Sequence, residues 1–193
     1  RQGVERIMRF AFETAQKRPR KRLTVVTKSN AQRHGMVMWD EIAEEVAAHY
    51  PDVIWDKMLV DAMTVRMTMN PQSLDTIVAT NLHADILSDL AAALSGSIGI
   101  APTANLNPER EFPSMFEPIH GSAFDITGLG IANPIGTVLS IHMMLEHLGE
   151  VDAAEVLMRS IRLTLEDAKS HTPDLGGQAR TDDVTRALIA NLG

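Results

Sequence analysis

The sequence contains no cysteine among its 193 residues. Without thiols the chain can form neither a disulfide bond nor a thiolate metal site, and this composition is typical of a cytoplasmic protein. The sequence also lacks any apolar run that approaches the roughly 18 residues needed to span a membrane. No signal-peptide pattern is visible at its start. We therefore expect a cytoplasmic protein that does not associate with a membrane.

Positive charge is scarce as well. The formal net charge is −7 at pH 7 and the pI is about 5.4, so we expect no nucleic-acid partner. Apolar residues make up 45% of the chain, which is enough for a globular core. The chain begins with Arg1-Gln2-Gly3 rather than methionine, and we interpret this opening as a processed or truncated N-terminus.

Hydrophobic periodicity predicts alternating helices and short buried strands. The predicted helices cover residues 4–16, 60–69, 134–148, 152–168 and 181–191, and another carries Ile42, Ala43, Val46, Ala47 and Tyr50 on one face. The predicted strands cover residues 23–27, 53–55, 76–80 and 115–119. This alternation indicates α/β architecture with a largely parallel sheet. A glycine-rich connector places a domain boundary near residue 98, which gives domains of residues 1–97 and 98–193.

Two aspartates lie four residues apart in the segment that follows the predicted strand 76–80. Asn81 is the predicted N-cap of this helix. Residues four apart on a helix share a face, so Asp85 and Asp89 can point to one place. Two convergent carboxylates with a third acid nearby are what a hard cation such as Mg²⁺ or Mn²⁺ requires. The alternative is that acids near a helix start are stabilised by the macrodipole. That alternative explains Asp85 better than Asp89, which lies in an apolar stretch, and both interpretations stay open.

A lysine is predicted at the same edge of the sheet. Lys28 directly follows the strand 23–27, as the Asp85/Asp89 helix follows the strand 76–80. In parallel sheets ligands bind beyond the carboxyl ends of the strands, so both groups lie on the ligand side. Asp61 supplies the third acid, and a lysine can carry a proton or bind an anionic substrate. This pattern indicates a metal-assisted enzyme that acts on a carboxylic acid.

Other common site patterns are missing or weak. Neither a Walker A loop nor a G-x-G-x-x-G fingerprint is present. His142 and His147 are five residues apart, which is out of helical register for zinc, so we interpret them as helix-face residues. We interpret His83 likewise, with a role in supporting a metal ligand as the alternative. The loop from His120 to Asn133 contains three glycines, and a loop of this length is often functional.

Several blocks of sequence together resemble one known family. The blocks are Thr27-Lys28-Ser29-Asn30, Val60-Asp61, residues 81–90, residues 116–126 and residues 130–134. They occur in order over nearly the whole chain and resemble the C-terminal half or more of the metal-dependent β-decarboxylating dehydrogenases, the isocitrate/isopropylmalate dehydrogenase family. Residues 97–110 and Trp55-Asp56-Lys57 look like its tartrate/D-malate dehydrogenase branch.

The resemblance implies a fold and a set of site residues. It implies the α/β fold of isocitrate and isopropylmalate dehydrogenases, with Mg²⁺ or Mn²⁺ bound by Asp61, Asp85 and Asp89. Lys28 matches the catalytic lysine, with Asp61 beside it. The matching cofactor-binding residues are Glu117, His120, Gly121, Ser122, Ala123, Asp125 and Asn133. The carboxylate of Asp125 would bind the ribose 2′-hydroxyl of NAD and repel the 2′-phosphate of NADP.

The resemblance also implies a partner and a reaction. The active site would be shared across a homodimer, with Lys28 and Asp61 from one subunit and Asp85 and Asp89 from the other. We expect the interface within residues 2–70, and we expect its methionines to be exposed: Met58, Met63, Met67 and Met69. The implied reaction is NAD- and metal-dependent oxidation of a 2-hydroxy dicarboxylic acid such as tartrate or D-malate, with or without loss of CO₂. An alternative substrate is 3-isopropylmalate.

The sequence departs from the family at several points. The N-terminal part of the family, which holds substrate-binding arginines and a catalytic tyrosine, has no counterpart here, and Tyr50 falls in a predicted helix. His83-Ala84 replaces an aromatic-glycine pair, and Phe124 replaces a proline. We therefore expect an incomplete version of the fold that is inactive alone. The alternative is a non-catalytic partner subunit or a truncated assembly module of the same family.

Overall fold

A computed structural model describes residues 1–193 and divides into two compact units, Arg1–Ala91 and Ala92–Gly193. The first unit contains α1 (Gln2–Lys17), β1 (Arg22–Thr27), α2 (Gly35–Ala47), β2 (Ile54–Leu59), α3 (Val60–Met69), β3 (Thr76–Val78) and the start of α4 (Asn81–Leu94). The second contains β4 (Pro102–Asn105), β5 (Met115–Pro118), α5 (Ile135–Leu148), α6 (Val151–Glu166) and α7 (Thr181–Ala190). No helix has the length and apolar character required for a membrane crossing.

The first unit is built on a three-stranded parallel sheet. The strand order is β2-β1-β3, with Thr27 opposite Leu59 and Val25 opposite Val78. β1 is the central strand and is buried from Leu23 to Thr27, because helices cover both faces of a parallel sheet. The predicted α/β architecture with a parallel sheet is confirmed for this unit.

Two hydrophobic clusters cover the two faces of this sheet. Leu23 and Val25 belong to the cluster that contains the buried residues of α1 and α2, among them Phe12 and Ile42. Val26 belongs to a second cluster with Met63, Met67 and Leu87. Side chains alternate between faces along a strand, so β1 contributes to both clusters.

The second unit has a small sheet and a helical core. β4 and β5 pair in antiparallel fashion, with Ala104 opposite Phe116. The helices α5, α6 and α7 form a cluster around Ile135, Ile161 and Val184. Gly149 ends α5 with φ of 88°, a left-handed conformation that glycine adopts without strain.

Most predicted elements are present, and three local predictions are wrong. α3 has the predicted bounds, whereas β2 continues past Trp55 to Leu59 because its whole length pairs with β1. Tyr50 lies in the turn after α2 and not in a helix, and its ring stacks on Phe12 at a centroid distance of 5.4 Å. Asn81 is the first residue of α4 rather than its N-cap. Thr80 takes that position, and its hydroxyl accepts a hydrogen bond from the backbone N–H of His83 at 3.4 Å.

The expectation of exposed methionines is only partly correct. Met63 and Met67 are buried in the cluster that covers one face of the sheet, whereas Met69 is 77% exposed. A helix buries a stripe of side chains at positions i and i+4, and the pair at 63 and 67 occupies that stripe of α3. Met58 is partly buried against the same cluster.

Candidate functional site

The carboxyl edge of the parallel sheet brings together the polar residues selected from the sequence. Lys28 follows β1 and Asp61 follows β2, and the last residues of these two strands lie opposite each other. α4 begins shortly after β3, the other neighbour of β1. Because all three strands are parallel, their carboxyl ends lie at one edge of the sheet. Lys28 and the start of α4 therefore both lie at the carboxyl edge of the sheet, as the sequence predicts.

Lys28 and Asp61 form an ion pair at this edge. The Lys28 ammonium donates a hydrogen bond to the Asp61 carboxylate. This hydrogen bond is the main reason that the pKa of Asp61 lies below its usual range, and a backbone hydrogen bond lowers the pKa further. The side chain of Asp61 is 66% exposed. Asp61 is thus an ionised carboxylate that a cation can reach from solvent.

Asp85 and Asp89 lie on the exposed side of α4. They are one turn apart, so their carboxylates point from the same face of the helix. Neither side chain forms a salt bridge or accepts a hydrogen bond. Two unpaired carboxylates are thereby presented to solvent together.

The three predicted metal ligands do not converge within one chain. No group of three or more histidine, cysteine, aspartate or glutamate side chains is arranged to hold a metal ion. Asp61 pairs instead with Lys28. The donor set consists only of carboxylate oxygens, which suits Mg²⁺ or Mn²⁺. The chemistry of these donors therefore suits the predicted metal, but the three carboxylates do not form one metal-binding group within a single chain.

His83 lies on the other side of α4 from the two aspartates. It is 6% exposed, and its Nδ1 has no hydrogen-bond partner. Residues two apart on a helix point in nearly opposite directions, so His83 faces the core where Asp85 faces solvent. This orientation agrees with its interpretation as a helix residue on the packed side.

The second unit contains a cavity of about 620 Å³. Its walls come from three segments of the chain: residues 97–99, residues 120–133 and residues 173–182. Five of the seven predicted cofactor-binding residues line it: His120, Gly121, Ser122, Ala123 and Asn133. The loop from His120 to Asn133 thus forms one wall of a cavity that is large enough for part of a dinucleotide.

Two of the predicted cofactor-binding residues do not line the cavity. Glu117 is exposed on β5, and Asp125 is exposed in a single 3₁₀ turn, Phe124–Ile126. The side chain of Asp125 is unpaired, and its neighbour Ile126 does line the cavity. Asp125 therefore stands next to the cavity with its carboxylate free.

The second half of the loop is attached to the N-terminus of α7. Arg180 donates to the carbonyl of Leu129 at 2.9 Å, and the Thr181 hydroxyl donates to the carbonyl of Ala132 at 2.6 Å. The Thr181 N–H donates to the carbonyl of Gly130 at 3.0 Å. A Cβ on Gly130, whose φ is +66°, would lie 2.8 Å from the Arg180 guanidinium. The left-handed backbone favours glycine at this position, and a Cβ would also displace the end of the Arg180 side chain.

The wall formed by residues 173–182 is absent from the sequence-based prediction. A signal for it is present in the sequence between the predicted helices 152–168 and 181–191. The segment Thr172-Pro173-Asp174-Leu175-Gly176-Gly177 contains a proline and paired glycines, which are typical of a turn. A Cβ on Gly177 would lie 2.0 Å from the carbonyl oxygen of His171. The chain therefore folds back tightly here, and that fold places Asp174 and Asp182 on the cavity wall.

The two α5 histidines make ordinary helix-face contacts. His142 Nδ1 lies 3.0 Å from the carbonyl oxygen of Ala154, and His147 Nε2 lies 3.3 Å from the Ser114 hydroxyl. They contact different segments, so they share no site. Their interpretation as structural residues agrees with these contacts.

Comparison with known proteins identifies relatives over the whole chain. A probable tartrate dehydrogenase/decarboxylase of Agrobacterium vitis is 72% identical over 188 residues, which cover 97% of this chain and 52% of that protein. The D-malate dehydrogenase [decarboxylating] of Escherichia coli K12 is 50% identical over 192 residues, which cover 97% of this chain and 53% of that protein. The chain thus spans about half the length of the curated relatives it matches.

Solved structures share the fold. Isocitrate dehydrogenase from Methylococcus capsulatus superposes with a TM-score of 0.94 at 42% identity, covering 99% of this chain and 56% of that one. The family model described as isocitrate/isopropylmalate dehydrogenase matches residues 1–188. The predicted fold and the predicted likeness to the tartrate/D-malate branch are confirmed, and the chain belongs to the isocitrate/isopropylmalate dehydrogenase family.

Proposed function

We propose that this chain acts in a cytoplasmic oxidoreductase that oxidises a 2-hydroxy dicarboxylic acid, such as tartrate or D-malate, with NAD and a divalent cation. The proposal is carried by one arrangement: the Lys28–Asp61 ion pair lies at the same sheet edge as the helix that presents Asp85 and Asp89. It is supported by relatives that are named for tartrate and D-malate dehydrogenation. 3-Isopropylmalate is the alternative substrate.

Each residue of the arrangement has a distinct role in this proposal. In its neutral form the Lys28 amine accepts the proton of the substrate hydroxyl at Nζ, and Asp61 stabilises the ammonium that this transfer forms through their hydrogen bond. A divalent cation bound by Asp61, Asp85 and Asp89 would supply a Lewis acid for the oxygen atoms of the substrate. Asp125 accepts a hydrogen bond from the adenosine ribose of NAD.

The activity test joins this chain to the N-terminal half of the Agrobacterium vitis relative and follows NAD reduction with tartrate, D-malate and 3-isopropylmalate. The chain alone is expected to bind NAD weakly and to show no measurable turnover, because the family's tyrosine and arginines lie in that other half. The joined protein is expected to show a higher kcat/KM for tartrate or D-malate than for 3-isopropylmalate. Turnover of none of the three acids would contradict the proposal.

A second candidate function is a non-catalytic partner subunit or assembly module. The chain spans about half the length of the curated relatives it matches. A mass measurement of the native polypeptide separates the two functions. A mass near 21.2 kDa favours the non-catalytic subunit, and a mass close to that of the relatives favours the enzyme.

We expect the chain to form a homodimer through α3, which lies within the predicted segment 2–70, and through α4, which lies outside it. Val65 and Met69 are exposed on α3, and Leu82 and Ile86 are exposed on α4. Each pair is spaced by four residues, so each helix presents an apolar stripe to solvent, and such a surface is usually covered by a partner. A dimer would also allow Asp61 of one copy to approach Asp85 and Asp89 of the other.

Sedimentation at micromolar concentration checks the dimer. Val65→Glu is expected to shift the chain from dimer to monomer, because a charge buried in an apolar interface is costly. Ile189→Glu is the matched control, since Ile189 is 64% exposed on α7 in the other unit. A monomeric wild-type chain, or equal dissociation by the two variants, would contradict this prediction.

Mn²⁺ or Mg²⁺ is expected to raise the melting temperature of the chain. A ligand that binds only the folded state at one hundred times its Kd adds about 2.7 kcal/mol of stability. Asp85→Asn is expected to abolish the gain, because an amide oxygen carries no charge for the cation. Asp152→Asn is the control, because it removes an exposed acid from the first turn of α6. This variant should keep the metal-dependent rise in melting temperature.

Calorimetry with and without millimolar metal measures this effect. If metal-free and metal-loaded samples melt together, the carboxylates have only a structural role. The readout does not depend on turnover, so it tests the metal site even in a chain without activity.

A further inference from the structure

Asp174 joins the three segments that wall the cavity of the second unit. Its carboxylate accepts hydrogen bonds from the Ser97 hydroxyl and from the Asn133 side-chain amide, the latter at 3.0 Å. It also accepts one from the Thr172 hydroxyl. Ser97 belongs to the first wall segment, Asn133 ends the second, and Asp174 itself belongs to the third. One side chain thus connects all three walls.

The donors around this carboxylate are almost entirely shielded from water. Ser97 is 7% exposed, Asn133 is 8% exposed and Thr172 is fully buried. A buried donor that loses its acceptor retains its full desolvation cost. The bonds to Asp174 therefore stabilise the positions of Ser97 and Asn133 strongly, although Asp174 as a residue is exposed.

Asn133 links Asp174 to the start of α5 through two hydrogen bonds. Its Oδ1 accepts a hydrogen bond from the backbone N–H of Ile135 at 3.0 Å while its Nδ2 donates to Asp174. Asn133 thus binds the first residue of α5 and holds the end of the long loop against Asp174. Both ends of the Asn133 amide are engaged by the protein.

Two glycines allow the backbone to pack closely beside the carboxylate. A Cβ on Gly99 would lie 2.7 Å from Asp174 Oδ2 and 3.1 Å from Asn133 Cβ. A Cβ on Gly136 would lie 2.8 Å from the carbonyl oxygen of Gly99. The first two wall segments therefore pack closely at Asp174, and hydrogen bonds connect both of them to its carboxylate.

Asp174 is ionised at neutral pH, as an acceptor of several hydrogen bonds should be. Burial of its carboxylate raises its pKa, but the hydrogen bonds from Ser97, Thr172 and Asn133 together hold that pKa below its usual range. An ionised carboxylate accepts hydrogen bonds from all these donors and donates none.

We infer that Asp174 is a positioning residue that sets the spacing of the cavity walls at residues 97–99 and 130–135 for the adenosine end of a dinucleotide. The inference rests on the proposed function for the identity of the ligand, but the positioning itself depends only on contacts within the chain. Asp174 acts through Ser97 and Asn133.

Amide hydrogen exchange of the 193-residue chain without NAD tests the positioning. Asp174→Asn places an amide donor against the donors of Ser97 and Asn133. Exchange at residues 97–101 and 130–136 is expected to become about tenfold faster or more, because charge-assisted hydrogen bonds contribute on that order. Exchange in α6 should not change. No change at 97–101 and 130–136, or an equal increase in α6, would overturn the inference.

Two further variants separate positioning from general destabilisation. Asn133→Asp combined with Asp174→Asn exchanges donor and acceptor while keeping the charge, and the carboxylate introduced at position 133 can still bind the backbone N–H of the first residue of α5. This pair is expected to restore slow exchange, and failure to do so overturns the inference. Ser160→Ala removes the buried hydrogen bond to the carbonyl of Leu188, away from the cavity, and should leave residues 130–136 protected.

NAD titration adds a test in which the sign of the effect is informative. Removing a carboxylate from the cavity should strengthen binding of an anionic diphosphate if charge alone matters, and Asp182→Asn is expected to do so slightly. Asp174→Asn is expected instead to weaken NAD binding about tenfold because the walls move. Equal, strengthening effects of the two variants would overturn the inference. If the wild-type chain binds no NAD while the exchange results hold, the proposed cofactor fails and the positioning role stands.

Discussion

Lys28→Met is expected to lower kcat by about 10²–10⁴-fold in a protein that joins this chain to the N-terminal half of a relative, because positioned proton transfer contributes factors of that size. Lys28 is the cation at the carboxyl edge of the sheet, and its ammonium is held by Asp61. Methionine keeps the approximate length of the side chain and removes the proton. Because Asp61 is largely exposed, leaving it unpaired should cost little stability.

Lys28→Arg separates charge from proton transfer. Arginine keeps the positive charge but stays protonated at all practical pH values, so it cannot accept the substrate proton. We expect Lys28→Arg to keep the KM for the anionic substrate close to that of the wild type and to lose kcat as Lys28→Met does. Recovery of kcat in Lys28→Arg would mean that Lys28 acts only through its charge.

Lys21→Met is the matched control for these two variants. Lys21 forms an ion pair with Asp52 at 2.8 Å just before β1 starts, at the opposite edge of the same sheet. Steady-state kinetics should show wild-type kcat for Lys21→Met. If Lys28→Met also keeps wild-type kcat, the catalytic role proposed for Lys28 is wrong.

Asp125→Ser is expected to reduce the preference for NAD over NADP by about a hundredfold, in the same joined protein. A carboxylate at hydrogen-bond distance from the ribose would face the phosphate dianion of NADP, and such like-charge contact costs several kcal/mol, or about two powers of ten in affinity. Serine removes that repulsion and keeps a group that can bind the hydroxyl. The free and exposed carboxylate beside the cavity is suited to this role.

The measurement is kcat/KM for both cofactors in the wild-type and variant proteins. Asp152→Asn again serves as the control, because it removes the same charge from α6 in the same unit. An unchanged ratio in Asp125→Ser would show that Asp125 does not discriminate between the cofactors, and the assignment taken from the family resemblance would have to be revised.

Local pattern was sufficient to predict most of the elements. The apolar period of 3.6 residues and the flanking Asn70-Pro71 predict α3 with its observed bounds, and the apolar run at residues 23–27 predicts the buried central strand β1. These signals are local because a helix or a buried strand selects its side chains over one or two turns. The end of β2 was missed because Asp56 and Lys57 interrupt its apolar pattern, and only pairing with β1 makes the segment a strand.

Sequence blocks were likewise sufficient to predict the family, since ordered motifs over the whole chain are improbable by chance. They also selected Lys28 and Asp61, which the structure pairs, and five residues that line one cavity. Such motifs identify which residues occur together in the sequence, but they do not give the distances between those side chains in the folded chain.

Tertiary structure alone decided what those residues face. It placed Met63 and Met67 in the core instead of on the surface, and it left Asp61, Asp85 and Asp89 without a common metal-binding arrangement within one chain. It also brought Asp174 to Ser97 and Asn133 across long stretches of sequence. The sequence by itself determined the fold class, the elements and the family, because these depend on local period and ordered motifs. The burial of each side chain and the wall around Asp174 depend on contacts between distant segments, which only the folded chain defines.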